Sequence, residues 1–265
     1  MTGEITRHMV LDAAAISEEI IIQNLDGKIT RPPKMTKYRE TTSEYESRLA
    51  EYNEYKNRYL KTVRDELINN FKQKYKASPC VIMKNVLETY KMKHEFLRTF
   101  KITPQPYWVK NKLHSYTWAC ISPTKKKPMD ADYSPHSYLP QLHILICHQG
   151  IQFGFSYGTG VILSSSMWQL PLYKKLQKQI FEILKNKENN ICIIDGQGPE
   201  DVDLPNSKTI ASIKELSDIP KNWVKRPNLI GYYYNNKMPI DIHDRIINTL
   251  DLVLPIYKDI WLSEY

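Results

Sequence analysis

The sequence predicts an α+β protein: a small, mostly antiparallel sheet flanked by helices, with a helical N-terminal extension. Three observations predict it. Segments at 5–25, 42–75, 166–187 and 240–263 repeat apolar residues at spacings of three and four, the period of a helix with one buried face. Short runs at 116–121, 142–147, 191–194 and 229–234 are instead rich in β-branched and aromatic residues, as strands are. Between 142–147 and the run that starts at Ile151, His148-Gln149-Gly150 is turn chemistry, so these two runs form a hairpin.

In chain order, Ile5, Met9, Ala13, Ile16 and Ile20 give the first helical stripe, which Asp26-Gly27 ends. Arg31-Pro32-Pro33-Lys34 is a breaker. The second pattern starts at a Thr/Ser cap with Glu44 and Glu46 in its first turn, where acids suit the helix dipole, and runs through Tyr45, Leu49, Tyr52, Tyr59, Val63, Leu67 and Phe71. Tyr38, Tyr45, Tyr52 and Tyr59 recur every seven residues and so share one face. That face either packs on the domain or a partner helix, or forms a ladder for stacking bases. The neighbouring Glu40, Glu44, Glu46, Glu51 and Glu54 argue against the ladder. Ala77-Ser78-Pro79 separates this helix from one at about 81–98 with Met83, Val86, Leu87, Tyr90 and Phe96, and Thr103-Pro104-Gln105-Pro106 reads as a break before the sheet. After the hairpin, Ser164 to Ser166 cap a helix striped by Trp168, Leu172, Leu176, Ile180 and Leu184. Residues 195–209 are a polar loop, 229–234 a strand, and a last helix carries Ile242, Ile246, Leu250, Leu254, Tyr257 and Trp261.

The 265 residues, 42% of them hydrophobic, suffice for a sizeable core. No apolar run approaches the roughly 20 residues that span a bilayer, and Glu4 and Arg7 stand where a signal peptide would be apolar, so a cytoplasmic location is expected and a membrane partner is not. Cys80, Cys120, Cys147 and Cys192 form no CxxC pair, and three of them lie in apolar runs, where Cys behaves as a small hydrophobe. Neither a disulfide nor a metal site is expected. A net charge of +8 favours an anionic partner, and Lys91, Lys93, Arg98, Lys101, Lys110, Lys112 and Lys125 to Lys127 bracket the first aromatic strand.

Catalytic signatures are missing. There is no GxxxxGK[ST] loop, since Gly158-Thr-Gly160 lacks the lysine, and HExxH, CxxC and GxSxG are absent. Asp195, Glu200, Asp201 and Asp203 would be the metal ligands of a two-metal nuclease, but they sit among Gly196, Gly198, Pro199 and Pro205 rather than on rigid elements, which favours a solvated acidic loop. His114, His136, His143 and His148 have no carboxylate or Cys at ligand spacing. Neither catalysis nor a cofactor is expected of this chain.

The order Tyr116-Thr-Trp-Ala-Cys-Ile, a loop, Leu139-Pro-Gln-Leu-His-Ile-Leu, a turn, Phe153-Gly-Phe-Ser-Tyr-Gly, a later Leu229-Ile-Gly-Tyr-Tyr-Tyr and a closing Leu254-Pro-Ile-Tyr-Lys-Asp-Ile resembles the N-terminal DNA-binding domain of the McrB family, over about residues 60–265. These proteins are the specificity subunits of restriction systems directed at modified cytosine. The resemblance implies a domain that binds double-stranded DNA, flips a modified cytosine from the helix and holds it in an aromatic pocket. It also implies, as partners, a separate AAA+ GTPase motor and a nuclease subunit. The chain departs from the family in its added helical segment, 1–76, and in having no motor, so 77–265 is expected to be a recognition module for antiviral defence.

Residues of this chain fit such a pocket in kind. An extruded base needs aromatic faces to replace its stacking and polar groups for its Watson–Crick edge. Tyr116 and Trp118 alternate with Thr117, so they share one side of their strand. The family places a Trp at the start of this strand; Trp118 lies about two positions off, which leaves Tyr116 as the alternative occupant and Trp118 as a core residue. Tyr138, before the second strand, corresponds to another pocket aromatic. Lys110, Lys112, Lys125, Lys126 and Lys127 suit phosphate contacts. Two other classes stand beside this reading: a metal-dependent nuclease using the acids of 195–203, and a non-catalytic scaffold assembling through its N-terminal helices.

Overall fold

The computed structural model describes residues 4–26, 41–109, 112–122, 140–157, 171–186, 188, 190–195, 209–210 and 227–264. In order, these form α1 (Arg7–Asp26), α2 (Thr42–Lys61), a π-helical stretch (Thr62–Ile68), α3 (Asn69–Tyr75), α4 (Pro79–Lys93), β1 (Lys101–Gln105), β2 (Trp108–Val109), β3 (Lys112–Leu113), β4 (Tyr116–Ser122), β5 (Pro140–Cys147), β6 (Gly150–Tyr157), α5 (Pro171–Lys185), β7 (Ile191–Asp195), β8 (Thr209–Ile210), β9 (Pro227–Tyr234) and α6 (Ile242–Glu264). The α+β class follows directly. Seven strands make one sheet in the order β1-β4-β5-β6-β9-β7-β8, every pairing antiparallel, and β2-β3 form a separate two-stranded ribbon.

Period-two alternation sorts the strands' side chains into two faces. One face carries Ala119, Ile121, Leu142, Ile144, Ile146, Ile151, Phe153, Phe155, Leu229, Ile191 and Ile193, all at most 5% exposed. Helices α1, α4 and α6 pack against it, and α5 packs on α6 and β7. The first helix of the N-terminal extension is part of this layer. Its Ile5, Met9, Val10, Ala13, Ala14, Ile16 and Ile20 belong to the same core as the sheet. The fully buried Tyr107 ties it there, donating its hydroxyl to the Ala13 carbonyl at 2.5 Å. On the far side of the layer the Tyr90 hydroxyl donates to Asp251 at 2.9 Å, linking α4 to α6.

Two elements differ from the sequence reading. Thr103-Pro104-Gln105 is not a break but the body of β1, with Pro104 opposite Ala119. The strand is the sheet's edge and pairs with β4 alone, so a proline, which has no N–H to give a second neighbour, is admitted there. The helix expected over 42–75 passes through seven π-helical residues before α3. A stripe through Tyr45, Leu49 and Tyr52 would continue in α-helical phase at 67, whereas the buried row is Ile68 and Phe71. A π turn takes up that extra residue. The predicted cap is present: the Thr41 N–H donates to Glu44 and the Glu44 N–H donates back to the Thr41 hydroxyl, a capping box. No helix among the described residues is long and apolar enough to cross a membrane.

Candidate functional site

The other face of the sheet is where the sequence-predicted aromatics lie. Directly paired residues share a face, so the register gives its rows. The first runs Tyr116, Cys147, Gly150, Tyr234, and the second Gln105, Trp118, Leu145, Gln152, Tyr232. The third is Thr103, Cys120, His143, Gly154, Ile230, Cys192, and the fourth Lys101, Ser122, Gln141, Ser156, Asn228. The fourth row is continuous through Gln141 because Ile121 opposes Leu142 one step away.

Tyr116 and Trp118 on β4 and Tyr232 and Tyr234 on β9 therefore stand on either side of a floor made by Leu145, Cys147, Gly150 and Gln152. Three strand steps of about 4.8 Å put the two aromatic walls about 14 Å apart at their backbones. Tyr116, Trp118, Cys120, Leu145 and Cys147 form a small hydrophobic cluster of their own, against which Tyr232 and Tyr234 pack. Tyr116 is 7% exposed and Trp118 8%, whereas Tyr232 and Tyr234 are half-buried. The two β9 rings meet edge to face, with centroids 5.7 Å apart and planes at 81°. The backbone under them is fixed from both ends. Asn235 reaches back to the hairpin turn, its N–H donating to the Gln149 carbonyl at 2.9 Å and its side-chain amide to the His148 carbonyl at 2.7 Å. The Asn190 amide donates to the Tyr232 carbonyl.

Beside the rings, the third and fourth rows hold buried polar side chains. His143 is 8% exposed, Ser156 6%, Asn228 9% and Ser122 2%. The Nδ1 of His143, the Oε1 of Gln141 and the Oδ1 of Asn228 are buried without a hydrogen-bond partner among the described residues. Each such orphan costs about 1–3 kcal/mol, so three within two adjacent rows call for a compensating group. Burial depresses the His143 pKa from its ordinary 6.5 to about 4, so the ring is neutral at pH 7 and offers one donor and one acceptor. Burial pushes the thiols of Cys120 and Cys192 up to about 12, which keeps them protonated and poor nucleophiles. All four cysteines are buried and none is in a disulfide.

The buried imidazole gives a pH signature. Above pH 6.5 folded and unfolded chains both hold it neutral. Between 6.5 and about 4 the unfolded chain takes a proton that the folded one refuses, so stability falls with pH across that window, by up to about 3 kcal/mol. Melting curves from pH 7 to pH 4.5 should show a steeper loss for the wild type than for His143→Gln, which cannot charge; parallel curves would contradict a buried neutral His143.

Of the sequence-predicted site residues, the structure brings Tyr116 and Trp118 together on one face. For Lys112 it describes only the backbone, in β3 beside the ribbon partner Val109. Tyr138, Lys110, Lys125, Lys126 and Lys127 lie outside the described residues, as do Glu200, Asp201 and Asp203 of the acidic loop. Among the described residues no group of three or more His, Cys, Asp and Glu side chains is arranged to hold a metal ion. Sequence reasoning missed Tyr232, Tyr234, Gln141, Gln152 and Asn228. The Tyr232-Tyr233-Tyr234 run did signal a strand with two rings on one side, but only the pairing of β6 with β9 turns that side toward Trp118. No protein-family model matches this chain, and no curated protein matches its sequence.

Proposed function

We propose that this chain is a DNA-recognition module that takes one extruded base, a modified cytosine in the reading the sequence resemblance suggests, into the trough between β4 and β9. The observation that carries the proposal is the juxtaposition of four aromatic side chains with a buried polar set in which the His143 Nδ1, Gln141 Oε1 and Asn228 Oδ1 have no hydrogen-bond partner among the described residues. A nucleobase needs that pair of surfaces: a π-face for its ring and donors and acceptors for its edge. A lipid or apolar ligand would leave the orphaned His143, Gln141 and Asn228 unsatisfied. Because Tyr232 and Tyr234 keep more exposure than Tyr116 and Trp118, the base approaches over β9, and its edge is read by the third and fourth rows. In this reading Lys101, exposed at the end of the fourth row, contacts a backbone phosphate. The net charge of +8 supplies the attraction that any duplex sequence would feel. In this reading a separate AAA+ motor and nuclease subunit of a restriction system would act on the DNA that this module marks.

The test is titration of fluorescent duplexes, plain and carrying 5-methylcytosine or 5-hydroxymethylcytosine, at about 50 and 200 mM salt, where phosphate-driven binding weakens steeply. Tyr232→Ala removes a half-buried ring and leaves the fold intact. It should weaken binding of the preferred duplex by about 10- to 100-fold, the value of one stacked base, and plain duplex much less. Equal loss on all duplexes, or no loss, would refute the pocket; absence of any DNA binding at low salt would refute the reading altogether.

A further inference from the structure

The helix α2 is the largest surface that the proposed site leaves unexplained. Among its described side chains none is buried, and Ser43, Glu44, Glu46, Ser47, Ala50, Glu51, Asn53 and Glu54 are exposed. Yet it begins with a capping box and carries Tyr45, Leu49 and Tyr52, half-buried, at i, i+4 and i+7 on one side. The same spacing continues in the sequence at Tyr59 and Val63. Among the described residues α2 chiefly contacts the π-helical stretch that continues it, which leaves that stripe without a large apolar surface to cover it.

Its charges say what the partner is. From residue 42 to 54 the helix holds Glu44, Glu46, Glu51 and Glu54 against Arg48 alone, whereas from 55 to 64 it holds Lys56, Arg58, Lys61 and Arg64 and no acid. An acidic first half and a basic second half are complementary to the same helix run in the opposite direction. Pairing centred on Tyr52 sets Tyr45 level with position 59 of the other helix, Glu46 level with its Arg58, and Glu44 one residue from level with its position 61. A parallel pair would instead oppose acid to acid and base to base. We infer that the chain self-associates into a two-fold dimer through antiparallel pairing of α2, with Tyr45, Leu49 and Tyr52 in the seam.

Twenty residues give a contact about 30 Å long, a short coiled coil. Its interface falls in the small, transient class, so dissociation in the micromolar range is expected. Sedimentation equilibrium of the full chain from about 1 to 100 µM should therefore show a monomer–dimer equilibrium that weakens at high salt. Leu49→Glu with Tyr52→Glu should leave only monomer while the melting temperature of the body stays unchanged. Substitutions that cannot disturb a core give the second arm of the test. Glu44→Lys with Glu46→Lys, and Arg58→Glu with Lys61→Glu, should each be monomeric alone and dimerise when mixed. For direction, Tyr45→Cys should cross-link to Tyr59→Cys in a mixture under mild oxidation and not to itself, the four native cysteines being buried. A wild type that stays monomeric at 100 µM, a dimer that survives the Leu49 and Tyr52 changes or the single charge reversals, or Tyr45→Cys cross-linking to itself would each overturn the inference. None of these outcomes depends on DNA, so this inference fails or stands separately from the proposed pocket.

Discussion

Phe153→Ala should destabilise the protein by about 3–5 kcal/mol, the range for emptying a phenylalanine site in a core that cannot collapse. Phe153 is fully buried on β6, the central strand of the seven, on the face covered by helices. Its ring occupies the space above Gly231, where even a Cβ would come within 2.7 Å of it. It also stacks at 6.2 Å on Tyr233, whose neighbours Tyr232 and Tyr234 lie on the other face, against the Trp118 cluster. Against a typical total of about 5–15 kcal/mol, such a loss removes about a fifth or more of the stability. Thermal melts should show a drop of about 10 °C or more. Loss of secondary structure at room temperature would fit the upper end of the range, whereas a change under about 1 kcal/mol would mean that α6 and β9 close over the space.

Gly154→Ala should have an effect of similar size, by a backbone mechanism rather than a cavity. Gly154 sits mid-strand beside His143 with φ of +142°, a conformation that side chains rarely adopt. A Cβ there would lie 2.5 Å from the Leu229 carbonyl oxygen and 3.1 Å from the Ile230 Cα, both backbone atoms of β9 that move only if the strand does. The strained dihedral alone costs of order 1–3 kcal/mol, and displacement of β9 adds to it. Denaturant titration should give a loss of about 3 kcal/mol. Because β9 carries both Tyr232 and Tyr234, whatever binds in the trough should also bind more weakly to any Gly154→Ala protein that remains folded. Wild-type stability and wild-type binding together would show that β6 and β9 do not approach so closely here.

The helices α1, α4 and α6 were legible from spacing alone, because a stripe at three and four residues has one physical reading when it is longer than ten residues. So were β4, β5, β6, β7 and β9, and the shared side of Tyr116 and Trp118. The edge strand β1 was hidden by Pro104, whose local signal is a break unless the strand is known to lie at the margin. The π-helical stretch at 62–68 was invisible because the change of phase it absorbs matters only once Ile68 and Phe71 have a core to face. Half of the candidate site escaped notice for a related reason. His143 looked like an ordinary strand histidine, and Gln141, Gln152 and Asn228 carry no motif.

The sequence by itself determined the segments of α1, α4, α6, β4, β5, β6, β7 and β9 and which side chains share a side of these strands, since both follow from the 3.6- and 2-residue periods of the backbone. It also determined the excess of positive charge and the opposed charges along α2. Only the tertiary structure decided that β9 lies against β6, that α1 belongs to the core, and that Tyr232 and Tyr234 face Trp118 across Leu145 and Gln152. The pairing of β6 with β9 joins residues 72 to 84 positions apart. No local period encodes such a pairing; it is set by which apolar faces can be buried together at once.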